Sequence, residues 1–244
     1  MLPYRQSMKI ALVHDFLSQD GGAERVLKIF QEMWPLAPTF VLFYDQEKMN
    51  PVFQNHDLRP TFLQYLPGGR RHYQWYLPLM PHATERHDLR DFDVVISSSS
   101  AFAKGVITSP DQTHICYCHT PTRFLWSDAH SYVEELPRNW LIKKIVPLML
   151  TRIRLWDRLS ADRVDNFIAN SETVRTRIKK YYGREATVIH PPVETQLFSP
   201  ASPALLQSAP SAPSAPSAPS APSRPRCPLR FTPRRPRPKL KIIF

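Results

Sequence analysis

Polar residues follow several short apolar runs, at the points where buried strands are predicted to end. In an open parallel sheet, ligands bind beyond the carboxyl ends of the strands, where the N-termini of the following helices also point. The side chains at these ends are therefore the first candidates for chemistry, and Asp15, Ser99 and Ser100 are predicted to line a cleft. The complete sets are His14-Asp15, Tyr44-Asp45, Ser98-Ser99-Ser100, His119-Thr120 and Asn170-Ser171.

The loop after the first apolar run ends in Gly21-Gly22, just before a helical pattern begins. Glycine lets a ligand approach the backbone, and the free N–H groups of a helix N-terminus favour a phosphate. The loop has neither the Gly-x-Gly-x-x-Gly nor the Gly-Lys-Ser/Thr pattern of common nucleotide sites. From the residues alone, a phosphate loop and a simple helix-starting turn are equally good interpretations.

His119 lies at the end of another apolar run, and Arg123 follows four residues later. A single histidine is more often structural than catalytic. Its position at the ligand edge of a sheet favours the functional interpretation without excluding the structural one.

Three further patterns suggest chemistry that their context disfavours. His114, Cys116 and Cys118 lie on one face of a strand, where neighbouring side chains are about 7 Å apart, too far for adjacent ligands of one zinc ion. The Asp91-Phe92-Asp93 sequence resembles a metal-binding Asp-x-Asp signature, but it leads directly into a buried strand. The four serines 97–100 lack a Gly-x-Ser-x-Gly nucleophile elbow. We therefore expect no metal and no serine nucleophile.

The elements that must position these residues alternate between strands and helices. The pattern predicts a Rossmann-like α/β domain with a mostly parallel sheet and helices on both faces. One predicted helix follows the first strand and places apolar residues inward, namely Ala23, Val26, Leu27, Phe30 and Trp34. A second predicted helix begins after Ser171 and ends at Gly183. Its inward residues are Val174, Ile178 and Tyr181. The predicted strands cover residues 10–14, 39–44, 93–97, 114–118, 166–170 and 186–190.

Residues 139–160 mix Leu, Ile and Trp with five basic residues and one acid. Such a helix can lie on an anionic membrane surface, or it can pack its apolar side on the sheet while Lys and Arg extend outward. Both alternatives stay open. No apolar run is long enough to span a bilayer, and no secretory signal is visible, so we expect a cytoplasmic protein, with peripheral contact at the inner face of the cell membrane as the further expectation.

The sequence changes character near residue 199, which divides it into a predicted domain at 8–198 and a tail at 199–244. The tail holds five Ser-Ala-Pro repeats and +8 of the formal net charge of +11. This composition predicts disorder. Prolines interrupt any helix that would organise the basic residues, so specific nucleic-acid binding is not expected.

Four ordered blocks of the sequence resemble the N-terminal domain of glycosyltransferase family 4, and in particular bacterial mannosyltransferase-like members of surface-polysaccharide assembly. The last block is the most specific, because it matches the passage into the second domain of the family. The blocks read MKIALVHDFLSQDGGAERVL, FDVVISSSSAFAKGV, HICYCHTPTRFLW and DNFIANSETVRTRIKKYYGREATVIHPPVETQLF.

The resemblance implies the N-terminal, acceptor-side half of a GT-B fold. It implies a retaining transfer of a hexose such as mannose from a nucleotide-sugar to a glycan or lipid-linked acceptor, with the nucleotide-sugar as co-substrate and without a bound metal. His119 would match the active-site histidine of the family, and Gly21 and Gly22 the loop near the donor phosphates and acceptor. Arg123 and Ser171 would be further cleft residues.

The sequence departs from the family where the donor-binding domain should begin. Residues 199–244 contain no Glu and hence no Glu-x7-Glu element. We therefore expect a truncated, inactive fragment produced by a frameshift. The alternative is a non-catalytic acceptor- or membrane-docking module that pairs with a separate donor domain.

Overall fold

The computed structural model describes residues 8–67, 73–134 and 140–193. They form one seven-stranded sheet in which every neighbouring pair of strands is parallel. The strand order is β3-β2-β1-β4-β5-β6-β7, so the chain starts in the interior of the sheet and crosses over after β3. The strands are β1 (Ile10–His14), β2 (Thr39–Val41), β3 (Leu58–Pro60), β4 (Val94–Ser99), β5 (Thr113–Cys118), β6 (Asn166–Ala169) and β7 (Ala186–Val188).

Both faces of the sheet are buried, which explains why the strands read as continuous apolar runs. Successive side chains of a strand point to opposite faces. Leu12 accordingly packs in one cluster with Leu27, while Ala11 and Val13 pack in another with Val95. The Rossmann-like α/β prediction is confirmed.

Five α-helices accompany the sheet within the described ranges. The first buries Val26 and Leu27, as the periodicity predicts, and it also buries the polar residues Glu24 and Gln31. The last begins after Ser171, whose hydroxyl accepts from the Val174 N–H, and it ends at Gly183, where φ is 64°. That left-handed conformation is accessible to glycine at low cost. The helices are α1 (Gly22–Met33), α2 (Met80–Glu85), α3 (Ala129–Glu134), α4 (Trp140–Ser160) and α5 (Glu172–Tyr182).

The structure differs from the sequence-based expectations in several details. Strand β4 covers Val94–Ser99 instead of 93–97, and β5 begins at Thr113 instead of residue 114. Strands β6 and β7 end at Ala169 and Val188 instead of at residues 170 and 190, because their pairing ends there.

Strand β2 ends at Val41 instead of residue 44, because Leu42 donates its N–H to the Asp15 carbonyl and the chain then follows the loop after β1. The edge strand β3 was not predicted, since it has only three residues and ends in proline. The inward aromatic residue of α5 is Tyr182, which is fully buried, whereas Tyr181 is half-buried and stacks on Trp126.

No helix in the described ranges is long and apolar enough to cross a membrane. The predicted helix over residues 139–160 is present as α4. The 199–244 tail, and with it the prediction of disorder, lies outside the described residues.

Candidate active site

The parallel register brings the ends of the central strands level with one another. His14, the last residue of β1, pairs with Ser98 of β4, and Ser98 pairs with Tyr117 of β5. Because β5 ends one residue later, His119 emerges at the same sheet edge. Asn170 follows the end of β6, whose Ala169 pairs with Cys118.

Ser98 joins two histidines across this edge. Its Oγ lies 3.1 Å from His14 Nδ1 and 2.8 Å from His119 Nε2. A serine hydroxyl has one proton to donate. Ser98 therefore donates to one ring and accepts from the N–H of the other, which couples the tautomers of the two imidazoles.

Both rings are uncharged near neutral pH. Burial lowers the pKa of His14 to about 4, against a smaller opposing effect of the Ser98 backbone. Burial, reinforced by the neighbouring His14, also lowers the pKa of His119 to about 4. A neutral His119 presents a single donor or a single acceptor at its free Nδ1, as determined by the direction of the Ser98 hydroxyl.

The backbone of His119 is held on both sides. Its N–H donates to the Ser99 carbonyl at 2.9 Å, and its carbonyl accepts from Asn170 Nδ2 at 3.0 Å. The Tyr117 ring meets the imidazole edge-on at 5.2 Å. The ring is thus fixed in place while His119 itself stays partly exposed.

Asp15 organises the turn that follows β4. One carboxylate oxygen accepts the N–H groups of Ser100 and Ala101, and the other accepts those of Phe102 and Ala103, at 2.6–2.9 Å. Asp15 is buried, so its carboxylate is committed to the scaffold. That Asp15 lines a cleft stays a prediction. Its contacts show that the carboxylate holds the turn after β4 in place.

The two serines that follow Ser98 differ in accessibility. The Ser99 hydroxyl is buried and accepts from the Lys104 N–H at 3.3 Å. Ser100 is half-buried, with its N–H on Asp15. Of the four serines 97–100, only Ser100 is therefore partly exposed to solvent.

Gly21 and Gly22 begin α1 at the same end of β1. The Gly21 N–H donates to Glu24 Oε2 at 2.9 Å, and burial raises the pKa of the Glu24 carboxyl. A Cβ on Gly21 would lie 2.9 Å from that oxygen, whereas a Cβ on Gly22 would have no atom within 4 Å. The backbone at Gly22 therefore faces open space at a helix N-terminus, as an approaching phosphate requires.

The remaining predicted residues have local partners. Arg123 pairs with Asp128 through contacts of 2.7 and 3.0 Å, and about half of its side chain is exposed. Ser171 caps α5 and donates to Asn170 Oδ1 at 3.0 Å. Because Asn170 also donates to the His119 carbonyl, it connects Ser171 to His119. The ion pair of Arg123 instead directs the Arg123 side chain toward the loop that contains Asp128.

A buried polar cluster centred on Asp157 supports the loops after β4 and β5. The Asp157 carboxylate accepts from Lys104 Nζ at 2.5 Å, and both side chains are buried. Sequence reasoning missed this cluster because its members are far apart in the chain. The other donors to Asp157 are Thr122 Oγ1, Trp126 Nε1 and Tyr182 Oη, at 2.7–3.0 Å.

Among the residues that the structure describes, no group of three or more His, Cys, Asp or Glu side chains is arranged to hold a metal ion. His114 contacts the Ser97 hydroxyl at 2.8 Å, and burial raises the pKa of the Cys116 thiol to about 12. These two side chains belong to the interior of the sheet.

Comparison with known proteins identifies the family. The family described as Glycosyltransferase Family 4 matches residues 21–197, which is more than half of the chain. The chain belongs to glycosyltransferase family 4. The resemblance to glycosyltransferase family 4 is thereby confirmed, and the site described above lies on a domain of that family.

No curated protein matches the chain. Among solved structures, it is similar to a protein described as Anabaena Alr3699/HepE, crystallised in complex with UDP, with 16% sequence identity and a TM-score of 0.44. The similarity covers 79% of this chain and 47% of that one, so the chain spans about half the length of this neighbour.

Proposed function

We propose that this protein supplies the acceptor-side wall of a retaining glycosyltransferase that moves a hexose, such as mannose, from a nucleotide-sugar to a glycan or lipid-linked acceptor. The observation that carries the proposal is the His14–Ser98–His119 arrangement at the carboxyl edge of a family 4 domain. We further propose that this transfer serves surface-polysaccharide assembly on the cytoplasmic side of the membrane.

The chemistry follows from the charges that develop during transfer. Departure of a nucleoside diphosphate leaves an oxocarbenium-like sugar and a growing negative charge, and both are stabilised by preorganised polar groups in a water-poor cleft. The neutral His119 would bind a sugar hydroxyl, with its ring held by Ser98. The N–H groups at Gly21-Gly22 would face the phosphates. This scheme uses no metal. Preorganised hydrogen-bond donors would stabilise the negative charge that develops on the diphosphate.

The second wall of the cleft is a separate requirement. Residues 199–244 contain eight basic residues but no acid, and hence no Glu-x7-Glu element. We therefore expect little or no turnover from this chain by itself, and activity when a donor-side domain is supplied.

The experiment compares the purified chain with a two-domain chain, made by joining residues 8–198 to the donor-side domain of a family member. Both are incubated with labelled UDP- and GDP-hexoses and extracted lipid-linked glycans, with EDTA present. Label should enter the glycan fraction only with the two-domain chain, and the product should keep the anomeric configuration of the donor. Transfer by the original chain alone would refute its inactivity, and an inverted product would refute the retaining mechanism.

A further inference from the structure

Helix α4 carries an apolar stripe on its solvent side. Among the side chains described in this helix, those of residues 144–160, four large apolar ones are more than half exposed: Ile145 (54%), Leu148 (64%), Leu155 (62%) and Leu159 (54%). Exposed apolar residues that occur singly are common on protein surfaces, but a contiguous group on one element marks an interaction site. We call these four residues, together with Arg152 between them and Lys144 just before them, the outer face of α4.

The spacing places this set on one side of the helix. At 3.6 residues per turn, positions 144, 145, 148, 152, 155 and 159 fall within about 100° of arc and span about 22 Å. The opposite side packs on the domain, where Leu150 and Ile153 are 2% and 4% exposed. The outer face is therefore not required for packing of the helix on its own domain.

The charges on this face are positive. Arg152 is exposed, whereas Asp157, the one acid in α4, is buried against Lys104. Arg158, at the border of the face, pairs with Asp162 of the following turn. An isologous contact with a second copy would set these cations against one another. An anionic surface instead matches both the charge and the apolar stripe.

We propose that the outer face of α4 docks on an anionic lipid bilayer. The helix lies in the plane of the interface, with Leu148, Leu155 and Leu159 among the upper acyl chains and Arg152 at the headgroups. Membrane binding of this kind adds apolar burial to electrostatic attraction, so both components are measurable separately. The inference does not depend on sugar transfer, because it concerns lipid binding alone.

A position-specific fluorescence experiment tests the docking in the full-length chain. Cys116 and Cys118 are buried, so a Cys227→Ser background lets a single new cysteine carry an environment-sensitive dye. The dye is placed at Leu148→Cys or, as the control, at Leu36→Cys, since Leu36 is 95% exposed and lies beyond α1. With phosphatidylglycerol vesicles the dye at position 148 should shift to the blue, and the dye at position 36 should not. With phosphatidylcholine vesicles the shift should be smaller.

Sedimentation with the same vesicles separates the face from the basic tail, which is identical in every variant. Leu148→Gln with Leu155→Gln should lower the partition coefficient by at least about tenfold, and Leu36→Gln should leave it unchanged. Arg152→Glu should weaken binding more than Lys180→Glu, which makes the same change of charge on the exposed side of α5.

Three results would overturn the proposal. The first is an equal shift, or none, at positions 148 and 36. The second is sedimentation that the two leucine substitutions do not change. The third is a shift at position 148 that grows with protein concentration without vesicles, because that result indicates self-association of the outer face.

Discussion

At the scale of single residues, Ser98 holds the candidate site together. It is the only described side chain that contacts both His14 and His119, and all three lie at strand ends that the register aligns. The two histidines stay neutral because burial lowers the pKa of each to about 4. A fixed, neutral imidazole can accept or donate a hydrogen bond to a hydroxyl without adding charge, which is what the proposed role of His119 requires.

Replacing Ser98 by alanine should destabilise the fold and release the ring of His119. The substitution leaves His14 Nδ1 and His119 Nε2 without their shared partner, so we expect a loss of about 1–3 kcal/mol in the free energy of unfolding. Urea denaturation measures the loss, and imidazole ¹⁵N shifts report the tautomer of His119. Ser100→Ala is the matched control, because no hydroxyl contact joins Ser100 to either histidine; equal effects of the two substitutions would contradict this assignment.

The two glycines at the start of α1 should respond to alanine in opposite directions. Gly21→Ala forces a Cβ against Glu24 Oε2 and disturbs the contact at the start of the helix, at a cost of about 1 kcal/mol. Gly22→Ala meets open space at a helical position, where alanine is favoured over glycine by about 0.5–1 kcal/mol. Thermal unfolding of both variants measures this. A large loss of stability in Gly22→Ala would show that this glycine serves the fold.

At the scale of elements, a buried ion pair connects the helices to the loops of the site. Asp157 of α4 binds Lys104 after β4, Thr122 and Trp126 after β5, and Tyr182 of α5. Both loops follow strands that end at the candidate site, so this cluster determines where Ser100 and His119 leave the sheet.

Substitutions in this cluster should differ in cost according to the number of partners left unsatisfied. Asp157→Ala removes the acceptor of four donors and leaves a buried cation, so we expect a loss of about 3–5 kcal/mol. Lys104→Met leaves three hydrogen bonds on the carboxylate and should cost less. Tyr182→Phe, which keeps the ion pair, should cost about 1 kcal/mol. Urea titrations of the three variants test the order, and an equal cost for all three would contradict it.

Local patterns predicted the long elements well, and tertiary register explains what they missed. The periodicity of α1 and the Ser171 and Gly183 caps of α5 are properties of adjacent residues, and the structure has both helices at those positions. Strand β3 has three residues at a sheet edge, too few for a pattern. Ser98 was among the predicted strand-end residues. Whether Ser98 or Ser99 contacts His119 depends on the direction of each side chain, which the sequence does not determine.

At the scale of the whole molecule, the described domain shields four histidines from water. Burial is the largest effect on each and lowers the pKa of His14, His87, His114 and His119 to about 4. In the unfolded chain these groups titrate near 6.5. Between these values the unfolded state binds more protons than the folded one, so stability rises with pH across the interval.

The free energy of unfolding should therefore fall as the pH is lowered from about 6.5 toward about 4. Urea midpoints measured at pH 7.0, 5.5 and 4.5 test this directly. His14→Gln should flatten the dependence, whereas His82→Gln, at an exposed position of α2, should leave it unchanged. Constant stability across the interval would mean that the four rings are already accessible to protons in the folded state.

The most direct measurement is the rate of sugar transfer by the two-domain chain with and without its imidazole at position 119. If His119 contacts the transferred sugar, His119→Ala should lower kcat by about 100-fold or more, while His82→Ala on the same domain should retain full activity. A His119→Ala enzyme with unchanged kcat and KM would contradict the account, because the histidine would then serve only the packing of the sheet edge.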